Sequence, residues 1–243
     1  RQGGVFLFQA TALFSASSSP APKLVASEDA VIGSRTRFRL EDAPAEASCR
    51  IWKWRAVDLD WAEGGELNDN VKVRTNGSMP GIQSLVRRSG SKAFSLQATP
   101  QADAWLIIDR MILPNEDAKL VWWEFLDDDG NAHEARVEYS TDGESTWNLL
   151  RQSRSTVSFE FARKEASLAH LAGKLVKIRF RLTPSQGADS SADWFLDDIS
   201  FENAQALAQP ETFDTRSEFI DLYFADAAKH LIFAEIQGGP PAN

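Results

Sequence analysis

Cysteine is nearly absent from this 243-residue chain. Cys49 stands alone, so no intrachain disulfide can form, and neither a zinc knuckle nor a Cys-x-x-Cys redox motif exists. The disulfide-rich secreted class is excluded, although secretion is not, because a domain with a large core needs no covalent staple. Long apolar runs are missing as well. None reaches the roughly 18 residues of a membrane-crossing helix, so the chain reads as not membrane-spanning. Basic residues are outnumbered, 26 Lys and Arg against 35 Asp and Glu, for a net charge of −9. Binding to a polyphosphate depends on clustered cations that release counterions, so nucleic acid is not an expected partner. The histidines His133, His170 and His230 are far apart, and none lies in a His-Glu-x-x-His motif or beside a Gly-x-Ser-x-Gly elbow. The metalloprotease and serine-hydrolase templates therefore fail. A glycosidase needs only two carboxylates at a separation that sequence does not reveal, yet every strong motif here is structural and the chain reads as a non-enzyme.

What is present is apolar alternation. Hydrophobic residues make up 43% of the chain and aromatics 10%, enough to fill a substantial core. In Val176–Leu182 every second residue is apolar and every intervening one is basic, the pattern of a strand with one buried and one wet face. Similar runs occur at 30–40, 48–54, 90–96, 104–108, 119–125 and 134–150, with Gly, Pro, Asn and Asp between them. Such spacing predicts an all-β protein, an antiparallel jelly-roll sandwich with a smaller N-terminal immunoglobulin-like β region. Asp142-Gly143 between two alternating runs predicts a tight hairpin, because Gly accepts positive φ and Asp bonds its own backbone. Helix is expected only around Arg163–Ala172. The apolar run from Val5 to Ala16 after Arg1 has the charge, core and small-residue exit of a secretory signal peptide, but is read here as a first strand. Ser15–Lys23 reads as a loop or linker. Phe219–Phe224 and Leu231–Ile236 read as two more strands or part of a short helix, and the Gly-Pro-rich end as a tail.

Two resemblances add to this. Gly33–Leu40 followed by Ile51-Trp52-Lys53-Trp54 is similar to the polycystic-kidney-disease type of immunoglobulin-like module, without that module's Gly-Asp-Gly turn after the tryptophans. Gly90–Leu96, Lys119–Phe125, Ala135–Leu150 and Leu171–Pro184 with Asp193-Trp194-Phe195-Leu196-Asp197-Asp198-Ile199 resemble, in order and spacing, the MAM-like jelly rolls of bacterial immune-inhibitor-A peptidases, bacterial surface proteins and reelin sub-repeats. The resemblance implies a two-sheet jelly roll that binds or spaces beside a partner domain and has no chemistry of its own. Animal MAM modules carry disulfides and this chain cannot, which favours a bacterial origin. The expected domains are 1–57, 58–203 and a C-terminal extension or linker at 204–243. The expected role is a non-catalytic binding, adhesion or structural module at the cell surface or outside the cell, with a protein or glycan partner. The alternative is a carbohydrate-binding or accessory domain of a secreted hydrolase or peptidase.

The candidate sites follow. In a regular strand Asp197 and Asp198 point to opposite faces, so at least one faces apolar material and must be paired, hydrogen-bonded or metal-bound. The resemblance implies a structural calcium ion held by Asp198 and Glu63, with Asp197 beside them; backbone amides are the other solution. Asp127-Asp128-Asp129-Gly130-Asn131 lacks the twelfth-position Glu of a calcium loop and reads as a solvated turn. Trp122 and Trp123 are candidates for stacking on a sugar, as are Trp105, Trp52 and Trp54, each against a core alternative. Lys177, Arg179 and Arg181 form a basic stripe that could meet an anionic glycan or an acidic partner, or could be a wet face paired with carboxylates across strands.

Overall fold

The computed structural model describes residues 7–9, 23–26, 32–42, 48–57, 73–76, 81–128, 133–154, 160–185, 188–226 and 229–236. In chain order its strands are β1 (Leu7–Gln9), β2 (Lys23–Ala26), β3 (Arg35–Glu41), β4 (Cys49–Val57), β5 (Val73–Thr75), β6 (Ile82–Gln83), β7 (Ala93–Ala98) and β8 (Ala104–Asp127). They continue with β9 (His133–Ser140), β10 (Asn148–Ser153), β11 (Ala162–Ser167), β12 (Val176–Pro184), β13 (Ala192–Leu207), β14 (Glu211–Thr215), β15 (Phe219–Tyr223) and β16 (His230–Ile236). The protein is all-β and overwhelmingly antiparallel. Among the described residues no helix is long and apolar enough to cross a membrane. The chain divides into two compact units, Arg1–Val57 with Leu207–Asn243, and Asp58–Ala206.

The smaller unit shows how alternation becomes a layer. Along β3, Thr36, Phe38 and Leu40 turn inward while Arg35, Arg37 and Arg39 face solvent. β3 is flanked by β15 and β2, and β4 by β16 and β14, with β1 adding in parallel to β16. Phe38, Leu40, Cys49, Ile51, Leu222, Phe224 and Ile232 fill the space they share. The expected extension at 204–243 is thus corrected. β4 carries Cys49 and Ile51 on a face that water would otherwise wet, and the C-terminal strands supply Leu222, Phe224, Ile232 and Ala234 to cover it.

In the larger unit β8 is long enough to serve in two pairings. Its first half joins β12 and β5, from Ala104 to Ile112, and its second half, Lys119 to Glu124, joins β11. One sheet therefore runs β5-β8-β12-β9-β10, while β13 lies between β8 and β7, with β6 beyond. The expected helix at Arg163–Ala172 is instead β11 followed by a single 3-10 turn at Ala169–Leu171. Its backbone finds partners in the Trp122 strand, and Ala166 and Leu168 drop into the core while Arg163 stays out. The core is packed around Trp122, Phe180 and Trp194, whose rings meet edge-on at 5.7 Å on both sides of Phe180. Glu124 lies wholly inside it. Its Oε2 accepts the indole N–H of Trp122 at 2.8 Å, the indole N–H of Trp194 at 3.2 Å and the Ser153 hydroxyl at 2.9 Å.

His230 sits inside the smaller unit, edge-on to Phe224 at 5.0 Å, beside the buried ammonium of Lys53. Burial pushes its pKa below the ordinary 6.5, Lys53 and Arg55 push it further, and only Asp226 opposes them. The folded state therefore prefers the neutral ring. Its contribution is complete above the ordinary value and is lost as pH falls below it, because the unfolded chain then takes up the proton more readily. The urea midpoint of the intact chain is expected to fall between about pH 7.5 and about pH 5.5, and to fall less in His230→Phe. An equal fall in both proteins would remove His230 as the cause.

Candidate functional site

The outer face of the β5-β8-β12-β9-β10 sheet gathers most of the chemistry in the larger unit. Ala135, Val137, Ile178, Phe180, Leu106 and Ile108 point into the core, so their neighbours Glu134, Arg136, Glu138, Lys177, Arg179, Arg181, Trp105, Ile107 and Asp109 point away from it. Register sets them in rows. Arg181 is the cross-strand partner of Trp105 on one side and of Arg136 on the other. Arg179 lies between Ile107 and Glu138.

The basic stripe is not open along its length. Lys177 is buried, with its ammonium 2.8 Å from Asp109 and 3.5 Å from Glu144. That corrects its placing as a ligand contact: both carboxylates lie over it, and Arg74 reaches the same two groups from β5. Asp109 is held below the usual carboxylate range, because Lys177 and Arg74 outweigh its partial burial. Arg179 donates to Glu138 at 2.7 Å, and its guanidinium lies 4.2 Å from the centre of the Trp147 ring. Arg181 remains partly exposed, its Nε donating to Asp103 at 2.8 Å. Arg136 is likewise exposed and paired with Glu134. The accessible part of the face is therefore half-buried Trp105, flanked by the pairs Arg181–Asp103 and Arg136–Glu134. Asn76 fixes this end, accepting the Trp105 N–H at 3.0 Å and donating to the Asp103 carbonyl at 2.7 Å.

The 140–147 hairpin places Trp147 at the other end. The Asp142 carboxylate accepts the Thr146 hydroxyl at 2.6 Å, the Thr146 N–H at 3.0 Å and the Ser140 hydroxyl at 2.7 Å. These donors hold its pKa at about 2, Thr146 contributing most. Gly143 and Glu144 take positive φ, 70° and 77°, closing the turn expected from Asp-Gly and swinging Glu144 toward Arg74 and Lys177.

Asp197 and Asp198 do not face opposite ways. Asp198 has φ of 46°, and Leu196 and Asp197 are both buried, so alternation breaks at this point. Asp197 Oδ2 accepts the backbone N–H groups of Arg88 at 2.8 Å and Ser89 at 3.1 Å, and its Oδ1 accepts the Asp198 N–H at 2.8 Å. Asp198 accepts the Ser89 hydroxyl at 2.6 Å and pairs with the Arg88 guanidinium. Glu63 lies outside the described residues. As described, the two Asp residues do not fit a calcium ion: both are engaged by protein donors, and a cation at Asp198 would meet the charge of Arg88. Among the described residues no group of three or more His, Cys, Asp or Glu side chains is placed to hold a metal.

The remaining candidates divide by face. Trp122 is fully buried and its placing as a ligand contact is corrected; its indole N–H is committed to Glu124. Trp123, the next residue, faces outward beneath the Arg88 guanidinium, 3.9 Å from the ring centre. Trp52 and Trp54 stack on each other at 6.4 Å in the smaller unit. Asp128, read as part of a solvated turn, is buried instead, accepting the backbone N–H of His133 at 3.0 Å and meeting its Nδ1 at 2.9 Å; residues 129–132 lie outside the described set. Sequence reasoning missed Asp103, Asp109, Glu134, Glu138 and Trp147 as partners of the cations. For Asp109, Glu134 and Glu138, alternation with inward residues of β8 and β9 was the available signal; Asp103 and Trp147 lie just outside the strands.

No protein-family model matches the chain, and no curated protein matches it by sequence. Similar solved structures include a family 61 carbohydrate-binding module in complex with β-1,4-galactotriose, at 11% identity and TM-score 0.41 over 56% of this chain and 89% of that one. A cleaved adhesin domain of Lys-gingipain from Porphyromonas gingivalis is 18% identical, with TM-score 0.42 over 56% of this chain and 92% of that one. A carbohydrate-binding module of the β-sandwich superfamily is 10% identical, with TM-score 0.41 over 76% of this chain and all of the other. Likenesses this distant assign no ligand to this chain.

Asp197→Ala strips a charged acceptor from three part-buried backbone N–H groups. The expected result is a lower melting temperature and faster hydrogen exchange at Arg88 and Ser89; unchanged exchange there would show that another contact holds the loop. A calcium chelator is expected to leave the melting temperature of the unaltered chain where it was. A fall that added calcium reverses would place an ion at this pair after all.

Proposed function

We propose that residues 58–206 form a non-catalytic binding module, acting outside the cell or at its surface, that takes its ligand on the outer sheet face around Trp105, Arg181 and Arg136. One observation carries this reading. A half-buried indole shares a cross-strand row with two guanidinium groups, and each of these is already held in place by a carboxylate. An aromatic face supplies contact area, the fixed ion pairs supply directional donors and acceptors, and preorganisation lowers the cost of ordering on binding.

The histidines are engaged in packing. His133 is sealed against Asp128, His230 is buried in the smaller unit, and His170 packs edge-on against Tyr139 at 5.5 Å. None of them meets a serine or cysteine among the hydrogen bonds of the described residues. The partner at this face is a glycan or a protein of the cell surface. The basic stripe supports an acidic protein less than the sequence suggested, because Lys177 and Arg179 are spent on Asp109 and Glu138.

The test is affinity electrophoresis through gels containing neutral and acidic polysaccharides, beside surface-immobilised cell-envelope proteins. Retention of the unaltered chain by at least one of these is expected, with about tenfold weaker binding for Trp105→Ala and for Arg181→Ala, since each removes one strong contact. Trp123→Ala should bind like the unaltered chain. Binding that survives Trp105→Ala and Arg181→Ala but not Trp123→Ala would move the site to the second half of β8, at Trp123.

A further inference from the structure

The charge on this face is balanced pair by pair. The cations Arg74, Lys177, Arg179, Arg181 and Arg136 are met by the carboxylates Asp109, Glu144, Glu138, Asp103 and Glu134, through the contacts Arg74–Glu144, Lys177–Asp109, Arg179–Glu138, Arg181–Asp103 and Arg136–Glu134. The one further acid at the hairpin, Asp142, has its oxygens turned back onto Ser140 and Thr146. The stripe of three basic residues in β12 is therefore not a field that draws in anions.

From this balance we infer that the ligand is an uncharged polyhydroxylated chain, a neutral glycan of at least two sugar units; the inference rests on the reading of this face as the binding site. A carboxylate or sulfate on the ligand could take only the Arg181 N–H groups that Asp103 leaves over, and would there face the charge of that acid at close range. A cationic ligand meets the converse obstacle at Arg181 and Arg136. A hydroxyl group meets neither. It donates and accepts at once, so adjacent hydroxyls can accept from a guanidinium N–H and donate to the neighbouring carboxylate oxygen while the ion pair stays intact. Trp105 offers its half-buried ring to the C–H face of a pyranose. Trp105, Arg181 and Arg136 stand on three adjacent strands, β8, β12 and β9. That row spans roughly 9.5 Å at the usual strand spacing, close to the length of two linked pyranose rings.

The experiment uses the intact chain and defined probes: a neutral galactan, xylan and β-glucan against polygalacturonate and alginate, in affinity gels run at about 50 mM and about 500 mM salt. Retention by at least one neutral polysaccharide is expected, changing less than twofold across that salt range, with none by the acidic ones. In Asp103→Asn with Glu134→Gln, Arg181 and Arg136 lose their counter-charges, and salt-sensitive retention by an acidic polysaccharide should appear. Retention of the unaltered chain by acidic polysaccharides alone, lost in Trp105→Ala, overturns this inference and leaves the binding face in place. No retention by any polysaccharide, with capture of a cell-envelope protein through Trp105, also overturns it. No binding of either kind overturns the binding face itself, and the inference with it.

Discussion

One carboxylate oxygen organises the interior of the larger unit. Glu124 Oε2 takes hydrogen bonds from Trp122 on its own strand, from Trp194 on β13 and from Ser153 on β10, so three strands converge on a single buried acceptor. A lone buried carboxylate is costly, but one that satisfies two indole N–H groups and a hydroxyl removes three other burial penalties and part of its own, Oε1 being left without a hydrogen bond among the described residues. Lys164, 3.7 Å from the second oxygen, supplies partial compensation for the charge. The geometry leaves little latitude: both tryptophans also meet Phe180, so shifting either would open the core and orphan a donor together. An interior fixed in this way gives the strands a rigid register, and the outer face inherits it.

That inheritance is what makes the face specific. The exposed pairs Arg181–Asp103 and Arg136–Glu134 contribute only about 0.2–1 kcal/mol each, so they are not what holds the sheet together. Their consequence lies in presentation. Register puts Arg179 opposite Glu138 and Arg181 diagonal to Asp103, while Arg136 takes Glu134 from its own strand; the pairs pin long side chains that would otherwise sample many rotamers, and the face meets its ligand already ordered. The hairpin adds to this by bringing Glu144 over Lys177 and Trp147 against Arg179.

Much of the fold could be read in the chain because strand alternation is a local property. Val176–Leu182, the Asp142-Gly143 turn and the inward Phe38 and Leu40 all appear where alternation and turn chemistry put them. What could not be read depends on pairings distant in sequence. Phe219–Phe224 and Leu231–Ile236 could be read as strands or part of a short helix, but that they join the N-terminal unit depends on their pairing with Arg35–Arg39 of β3 and Cys49–Arg55 of β4. Ala162–Ser167 looks helical by composition and is a strand because the edge at Trp122 offers its backbone partners. The same limit applied to the site. Lys177, Arg179 and Arg181 were visible as a stripe, but the acids that neutralise them are Asp109 on β8, Glu138 on β9, Asp103 just before β8 and Glu144 in the hairpin, and nothing local reveals which acid meets which cation.

Two doublets, Trp122-Trp123 and Asp197-Asp198, show how adjacent residues can be put to opposite or common use. Ordinary alternation separates the tryptophans, one reaching inward to Glu124 and the other outward beneath Arg88. The aspartates escape alternation because Asp198 adopts a left-handed backbone, which lets both carboxylates engage the same loop. Positive φ costs a non-glycine residue about 1–3 kcal/mol, and persists only where surrounding contacts over-determine it. Here they do: Asp197 caps two loop amides while Asp198 holds the Arg88 side chain against Trp123. The outer tryptophan is thereby covered, whereas Trp105, in the first half of the same strand, keeps a half-buried ring next to the row of Arg181 and Arg136.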